Sequence, residues 1–298
     1  MTSTYPSEQP TPAPSPSPSV ITLTIPTPTY TLSAHIHPST TPTPPSQPPP
    51  LILLSHGLLN TRHSRIIRAL AGPFIPYASV LSLDFPGNGS SGGQTSYANY
   101  HAEAQVLRHV VLYTRSLGYY VAGIVGHSKG AAATLLYAAE HNDVPLVVNV
   151  SGRFDHTRAP AIRFTKEQKR EMEEKGSFVW KTYGRGEYVR EYIVRKEDME
   201  ERKKLDMAAA ARRIDTGKTR VLTVHGKADE TVPVEDAWGF ERILNAGGVQ
   251  CNEVVLVEGA GHSFSSEEEQ KGLVEAVSEW IARQWGFAML GVIKSTYV

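Results

Sequence analysis

The stretch GIVGHSKGAAATLLYAAEH, residues 123–141, places one serine between glycines where two kinds of local sequence meet. The preceding residues are rich in β-branched side chains and predict a buried strand. The following residues are rich in alanine and leucine and predict a helix. Ser128 is the centre of the pattern G-x-S-x-G, which runs from Gly126 to Gly130. A strand that turns sharply into a helix at such a serine lifts the hydroxyl clear of the sheet, so we expect a nucleophile here.

Short apolar strands and helices alternate on both sides of this stretch. Further strands are predicted at VITLTI (20–25), YTLSAHIH (30–37), LILLSHG (51–57), ASVLSLDF (78–85), VPLVVNVS (144–151), TRVLTVHG (219–226) and NEVVLVEG (252–259). Further helices are predicted at residues 62–72, 97–118, 234–248 and about 266–285. The first two strands alternate with period two and predict an antiparallel pair at the sheet edge. The whole pattern predicts an α/β fold, with a mostly parallel eight-stranded sheet and helices on both faces.

Residues 161–204 interrupt this alternation with dense mixed charge and interspersed aromatic residues. Oppositely charged residues four apart indicate helices. Because the segment falls between two predicted strands, we expect a helical insertion at about residues 152–210. An insertion above the carboxyl edge of a sheet is placed to act as a lid over a site. Its aromatic residues can line an acyl pocket or anchor the lid to the sheet: Phe178, Trp180, Tyr183, Tyr188 and Tyr192.

The composition predicts how the rest of the chain is organised. Residues 1–18 are proline-rich and almost without apolar side chains, so we expect a disordered tail. A single α/β domain is then expected over 19–286, with a C-terminal tail over 287–298. The formal net charge is zero, which argues against a nucleic-acid partner. One cysteine, no apolar run long enough to span a bilayer and no secretory signal together predict a cytoplasmic protein.

A serine hydroxyl needs a base and an acid to become nucleophilic. Asp229 follows the strand at 219–226, and His262 lies in a glycine-rich loop after the strand at 252–259. All three groups are therefore predicted at carboxyl ends of strands, where parallel α/β sheets keep their sites. The weaker candidates for the acid are Glu230 and Asp155. His56 and His225 are expected to brace the loops around the site, and His127 is expected to pack below the elbow and not to act as the base.

The oxyanion that forms during acyl transfer needs two hydrogen-bond donors. The backbone N–H of Lys129, directly after the nucleophile, is one expected donor. The other is expected from the loop SHGLLN, at the backbone N–H of Leu58. The side chain of Lys129 is not needed for this role.

Three other patterns have simpler explanations. GSSGG (89–93) also fits G-x-S-x-G around Ser91, but it lies in a polar loop with no helix directly behind it. GNGSSG (87–92) fits a dinucleotide-binding fingerprint, yet no helix opens there and no acidic residue ends a second strand. His35 and His37 share one strand face without a third ligand nearby. We therefore expect neither a cofactor nor a metal.

Residues 19–286 resemble the serine esterases of the α/β-hydrolase fold. The chain is similar in order to intracellular cinnamoyl or feruloyl esterase-like proteins, ectomycorrhiza-regulated esterases and the serine aminopeptidase group, at LLSHGLLNTR, LDFPGNGSSGGQTSYANY, GHSKGAAA, VLTVHGKADETVPVEDA and GAGHSF. The resemblance implies Ser128 as nucleophile, Asp229 as acid and His262 as base, with oxyanion donors at Leu58 and Lys129. Asn88 stands where the family often has histidine. The lid matches least.

Three functions follow from these observations. The first is hydrolysis of a small-molecule carboxylic ester through an acyl-enzyme on Ser128. The second is aminopeptidase or thioesterase activity, which would use the same residues. The third is a non-catalytic receptor that binds ligands in the pocket of a former hydrolase. The acyl and alcohol groups and the oligomeric state do not follow from the sequence.

Overall fold

The architecture is a large sheet flanked by helices, with a small hairpin beside it. The computed structural model describes residues 19–158, 164–183, 189–248 and 251–295. In this part of the chain the strands are β1 (Ile21–Pro26), β2 (Thr31–His37), β3 (Pro50–Ser55), β4 (Ser79–Leu83), β5 (Tyr120–His127), β6 (Leu146–Val150), β7 (Ser177–Tyr183), β8 (Val189–Arg195), β9 (Arg220–Gly226) and β10 (Asn252–Val257). The helices are α1 (Arg65–Ala71), α2 (Tyr100–Ser116), α3 (Lys129–His141), α4 (Lys166–Lys175), α5 (Lys196–Lys203), α6 (Met207–Arg212), α7 (Glu235–Leu244) and α8 (Glu267–Ser295).

The large sheet has eight strands in the order β1-β2-β4-β3-β5-β6-β9-β10. Neighbouring strands in this sheet pair in parallel among β4, β3, β5, β6, β9 and β10, whereas β2 is antiparallel to both β1 and β4. The predicted mostly parallel sheet with an antiparallel pair at its edge is therefore confirmed. Because the central strands run in one direction, their carboxyl ends meet along one edge of the sheet.

Two apolar layers cover the sheet. The strand β3 shows how they are divided, because Leu51 and Leu53 face one layer and Ile52 and Leu54 face the other. Side chains from α2, α3, α6 and α7 fill the first layer, and side chains from α1 and α8 fill the second. Burial on both faces explains why β3 reads as an unbroken apolar run and not as an alternating one.

The last helix departs from the sequence-based expectation. We expected a helix over about 266–285 followed by a tail over 287–298, but α8 continues to Ser295. Ala288 is fully buried in the second apolar layer, so packing against the body of the protein continues past the predicted end. The proline-rich segment at residues 1–18 lies outside the described residues.

The insertion between β6 and β9 is only partly helical. The expectation of a helical segment over 161–204 is wrong in its centre, where β7 and β8 form an antiparallel hairpin. Residues in this hairpin alternate with period two. Phe178 and Val194 are buried, whereas Val179 and Ile193 are exposed. Alternation with aromatic and β-branched residues is the sequence signal for strands. The prediction was wrong because the pattern of charges, which favours helices, was given more weight than this alternation.

A few contacts hold the insertion against the rest of the molecule. Phe178 and Val194 cluster with Tyr97 of the loop before α2. The Tyr192 hydroxyl donates a hydrogen bond to the Asn88 Oδ1 atom at 3.3 Å. The Ser96 hydroxyl donates to the Asp198 carboxylate at 3.1 Å. The hairpin therefore lies against the loops at residues 87–97, beside the carboxyl edge of the sheet.

Candidate active site

The turn between β5 and α3 has the strained geometry expected of a nucleophile elbow. Ser128 has φ 56° and ψ −115°, a conformation that residues other than glycine rarely adopt. Its backbone N–H donates to the Val150 carbonyl at 2.8 Å, which ties the turn to the neighbouring strand β6. Such strain persists only where the surroundings hold it, and it is concentrated at functional sites.

The two glycines of G-x-S-x-G are required by close packing. A Cβ atom at Gly126 would lie 2.5 Å from the Gly130 carbonyl oxygen. A Cβ atom at Gly130 would lie 2.5 Å from the His56 carbonyl oxygen. Both distances are far below van der Waals contact, so any side chain at these positions would push the strand, the helix and the loop after β3 apart.

Ser128, His262 and Asp229 form one hydrogen-bonded chain. The His262 Nε2 atom lies 2.9 Å from the Ser128 Oγ atom. The His262 Nδ1 atom lies 2.7 Å from the Asp229 Oδ2 atom. The three residues follow β5, β9 and β10, as the sequence predicted. The structure therefore brings the predicted nucleophile, base and acid together, with a spacing that permits proton transfer from serine to histidine.

Asp229 is held as a carboxylate by several donors. Its Oδ1 atom accepts the backbone N–H groups of Thr231 and Val232, each at 2.8 Å. The His225 Nε2 atom lies 3.4 Å from its Oδ2 atom. Burial alone would raise the pKa of Asp229, but the hydrogen bonds from His225, His262 and Val232 outweigh it and lower that pKa. Asp229 can therefore stay ionised and orient the imidazole of His262.

His127 positions the loop that carries His262. The His127 Nε2 atom lies 3.0 Å from the His262 carbonyl oxygen. Burial, with the nearby His262 adding to it, lowers the pKa of His127 to about 3. The ring is therefore neutral and can donate one N–H to that carbonyl. His127 therefore joins the elbow to the loop of the candidate base through a contact across 135 residues of sequence.

The loop after β3 is braced in the same way by His56. Its Nε2 atom accepts the Phe85 backbone N–H at 3.0 Å, and its Nδ1 atom lies 2.8 Å from the Gly57 carbonyl oxygen. The next residue, Leu58, lines the cavity at Ser128. Leu58 and Lys129 also flank Ser128 in a second, smaller cavity. Their positions fit the predicted oxyanion donors, and that role stays a prediction.

The side chain of Lys129 is bound by residues of α2 and of the loop before it. Its Nζ atom lies 2.7 Å from the Glu103 Oε1 atom and 2.7 Å from the Ser96 carbonyl oxygen, and it also bonds to the Asn99 side chain. Lys129 is 4% exposed and Glu103 is 3% exposed. This buried ion pair joins the elbow to the start of α2. Sequence reasoning missed it because the two residues lie on separate helices.

The weaker candidates from the sequence have other contacts. The Ser91 hydroxyl donates to the Asp84 carbonyl at 2.6 Å and accepts the Ser33 backbone N–H at 2.8 Å, so it holds a loop. Asp155 pairs with Arg158 at 2.9 Å and also bonds to Thr157. Glu230 points to solvent beside the buried Asp229. No cluster of three or more metal-ligating side chains occurs within the described residues.

A cavity of about 240 Å³ opens at the side chains of Ser128 and His262. Its lining includes Leu58, Ser128, His262 and Trp180 of the hairpin. Leu58, Leu59 and Trp180 also line a groove of about 660 Å³ between the hairpin and residues 87–97. Of the aromatic residues singled out in the insertion, Trp180 reaches the cavity, Tyr192 lines the groove and Phe178 is buried as an anchor. Tyr188 and the Tyr183 side chain lie outside what the structure describes.

The alpha/beta hydrolase family profile matches residues 52–276. The chain belongs to this family, which supports a hydrolase activity. No curated protein matches the chain with significance. None of the helices in the described ranges is long and apolar enough to cross a membrane.

Solved structures of esterases share the fold. A complex of Est1E from Butyrivibrio proteoclasticus with ferulic acid superposes with a TM-score of 0.70 at 19% identity, covering 89% of this chain and 99% of that one. The esterase domain of a Rhodothermus marinus protein gives 0.62 at 20% identity, covering 89% and 98%. The Pyrococcus furiosus esterase Pf2001 gives 0.63 at 17% identity, covering 89% and 92%. These similarities confirm the α/β-hydrolase fold.

Proposed function

We propose that the protein is a serine hydrolase that cleaves carboxylic esters through an acyl-enzyme on Ser128. The observation that carries the proposal is the hydrogen-bonded chain from Ser128 through His262 to Asp229, at a strained elbow. A serine that merely capped a helix would need neither the strain nor the aligned histidine. The esterase structures that share the fold support the same reaction class.

In the first half of the reaction, the His262 Nε2 atom accepts the Ser128 proton while the Oγ atom attacks the ester carbonyl carbon. The carbonyl oxygen becomes an oxyanion and receives hydrogen bonds from the backbone N–H groups of Leu58 and Lys129. Asp229 holds the Nδ1 proton of His262 and stabilises the imidazolium that forms. The tetrahedral intermediate then collapses as His262 donates its proton to the departing alcohol oxygen.

In the second half, a water molecule takes the place of the alcohol. His262 accepts a proton from this water, and the resulting hydroxide attacks the acyl carbon. Collapse of the second intermediate breaks the bond to the Ser128 Oγ atom, and His262 returns the proton to it. The products are the alcohol, released first, and the carboxylic acid.

The insertion is proposed to act as a lid that shapes the substrate site. Trp180 from β7 lines the cavity at Ser128 and also the groove beside it. The two spaces together can hold an ester with a bulky group. Est1E, which shares the fold, has been solved with ferulic acid bound. Aromatic acyl esters therefore belong among the test substrates.

No carboxylate lines either cavity that reaches Ser128 within the described residues. An aminopeptidase needs an acidic group to bind the free amine of its substrate. The lining next to Ser128 therefore favours esters, whereas Glu191 in the adjoining groove is the reason to include an aminoacyl substrate in the test. A thioester presents the same carbonyl to the same residues, so a thioester belongs in the substrate panel.

The test is turnover of p-nitrophenyl esters from acetate to long acyl chains, with methyl cinnamate, a thioester and an aminoacyl-anilide beside them. Ser128→Ala should lower kcat by about 10⁴-fold or more, because the nucleophile is lost. Ser91→Ala is the matched control, since Ser91 is the centre of the other G-x-S-x-G pattern, and it should retain turnover. Absence of wild-type turnover and of labelling by a fluorophosphonate would contradict the proposal.

A further inference from the structure

A second cavity reaches Ser128 on the side of the predicted oxyanion donors. We call it the arginine pocket, and its defining residues are Arg153, His156 and Arg202. Ser128, Leu58 and Lys129 also line it, and its volume is about 20 Å³. A cavity needs roughly 10–15 Å³ to hold one water molecule. The arginine pocket therefore admits a small polar group and excludes an aromatic ring.

Two buried guanidinium groups from separate parts of the fold meet in this pocket. Arg153 follows β6 and is 7% exposed, whereas Arg202 comes from α5 of the insertion and is 4% exposed. Both are held by backbone carbonyls, Arg153 by that of Thr231 and Arg202 by that of His156 at 2.9 Å. These bonds fix both guanidinium groups in place, and the neutral carbonyl of His156 does not cancel the charge of Arg202.

No carboxylate is among the described residues that line the pocket. Lys129, the third cation there, pairs with Glu103. The buried Asp236 pairs with Arg158, which does not line the pocket. Arg202 forms no ion pair with any carboxylate in the described part of the chain. Buried charges are ordinarily paired, so a buried arginine that faces a cavity without a counter-ion indicates an anionic ligand.

His156 supplies a third polar group. It is 1% exposed, and neither of its ring nitrogens makes a well-formed hydrogen bond within the described residues. Burial, reinforced by the positive charges of Arg202 and Arg153, lowers the pKa of His156 to about 3. A neutral imidazole has one N–H to donate. The pocket thus combines two fixed guanidinium groups with a buried imidazole whose ring nitrogens make no well-formed hydrogen bond within the described residues.

We propose that the arginine pocket binds a carboxylate of the substrate, and that the preferred esters carry this carboxylate close to the ester carbonyl. The inference rests on the proposed function for the choice of ester substrates. Guanidinium groups bind carboxylates through paired N–H bonds, which gives both affinity and orientation. The small volume restricts the anion to a single carboxylate. The test substrates distinguish an ester that carries this carboxylate on its acyl side from one that carries it on its alcohol side.

The kinetic test compares esters that differ only in charge. Monoethyl malonate against ethyl malonamate examines the acyl side, and acetoxyacetate against acetoxyacetamide examines the alcohol side. At constant ionic strength, kcat/KM of the wild type should favour the carboxylate in one pair by about tenfold or more, as expected for one charge-assisted bond. A ratio near one in both pairs would overturn the proposal.

Variants assign this preference to the pocket. Arg202→Met keeps the aliphatic stem and should lower the carboxylate-to-amide ratio by about tenfold, mainly through KM. Arg202→Lys keeps the charge and should retain part of the preference. Arg170→Met removes an exposed arginine from α4 and is the control, with the ratio unchanged. A ratio that survives Arg202→Met and Arg153→Met would contradict the assignment.

A binding measurement separates this proposal from the proposed function. Malonate should raise the melting temperature of the Ser128→Ala protein more than malonamide does, and Arg202→Met should abolish the difference. Binding without turnover of any ester would leave the pocket standing and reject the esterase. Turnover of neutral esters, without malonate binding or a carboxylate preference, would reject the pocket and leave the esterase standing.

Discussion

The carboxyl edge of the sheet, which carries the candidate triad, and the insertion beside it are built differently. Ser128, Asp229 and His262 follow strands in the middle and at one side of the sheet, and β5 and β9 are buried along almost their whole length. The helix α4 of the insertion has no buried residue, and its charged side chains pair in solvent. The two regions therefore differ in how tightly their side chains are held by packing. The candidate triad depends on a densely packed scaffold, whereas the proposed lid rests on a few aromatic contacts.

The largest expected effect is a loss of activity at the carboxyl edge of the sheet. Asp229→Asn should lower kcat by about 10⁴-fold, because the amide favours the wrong tautomer of His262. The melting temperature should change much less than the activity. Steady-state kinetics with a p-nitrophenyl ester measures the effect. Glu230→Gln, in the exposed neighbour, is the matched control, and an equal loss in both variants would contradict the assignment of the acid.

The same residue gives a pH dependence of stability. The folded-state pKa of Asp229 is lowered, so its ionised form stabilises the fold above the unfolded-state pKa of about 4. This contribution is lost as the pH falls through the folded-state value. The difference in the free energy of unfolding between wild type and Asp229→Asn should therefore stay constant above about pH 5 and shrink progressively as the pH falls below about 4. A difference that grows toward acid would contradict the assigned sign.

The next effect contrasts a buried ion pair with an exposed one. Lys129→Met leaves the Glu103 carboxylate buried without its partner and should cost about 3–5 kcal/mol of stability. Lys175→Met breaks the solvent-exposed pair with Glu171 in α4 and should leave the unfolding midpoint unchanged. Urea denaturation measures both. Equal effects would mean that the elbow is packed no more tightly than the insertion.

A pair of glycines sharpens the comparison further. Gly126→Ala forces a methyl group against the Gly130 carbonyl and should cost about 3 kcal/mol of stability, with loss of activity. Gly176→Ala, after α4, meets no atom within 4 Å and carries only the strain of its φ of 72°. Its expected cost is about 1 kcal/mol. Unfolding midpoints measure both variants, and a reversed order would contradict the packing at the elbow.

The smallest expected effect concerns substrate choice. Trp180→Ala widens the cavity at Ser128 and should change kcat/KM for aromatic or long acyl esters by about tenfold, with acetate affected less. Trp238→Ala, in an exposed residue of α7, is the control. A uniform loss across all esters together with a lower melting temperature would assign Trp180 the role of an anchor. Its ring contacts with Tyr97 and Phe164 make that outcome informative.

Local patterns made the main sheet and the candidate triad predictable. The glycines of GHSKG, the apolar strands and the order Ser, Asp, His are all readable from neighbours in sequence. The helical insertion was predicted wrongly because charges four residues apart suit exposed helices, while β7 and β8 follow a period of two. The end of α8 was misplaced because the burial of Ala288 depends on the body it packs against.

The sequence by itself determined the α/β class, the elbow at Ser128 and the partners at strand ends, because parallel strands bring their carboxyl ends to one edge. Only the tertiary structure decided that His127 holds the His262 loop, that Lys129 turns to Glu103, and that Arg153 and Arg202 face one cavity. These contacts join residues that lie far apart along the chain. No local periodicity encodes them, since they arise where separately formed elements pack together.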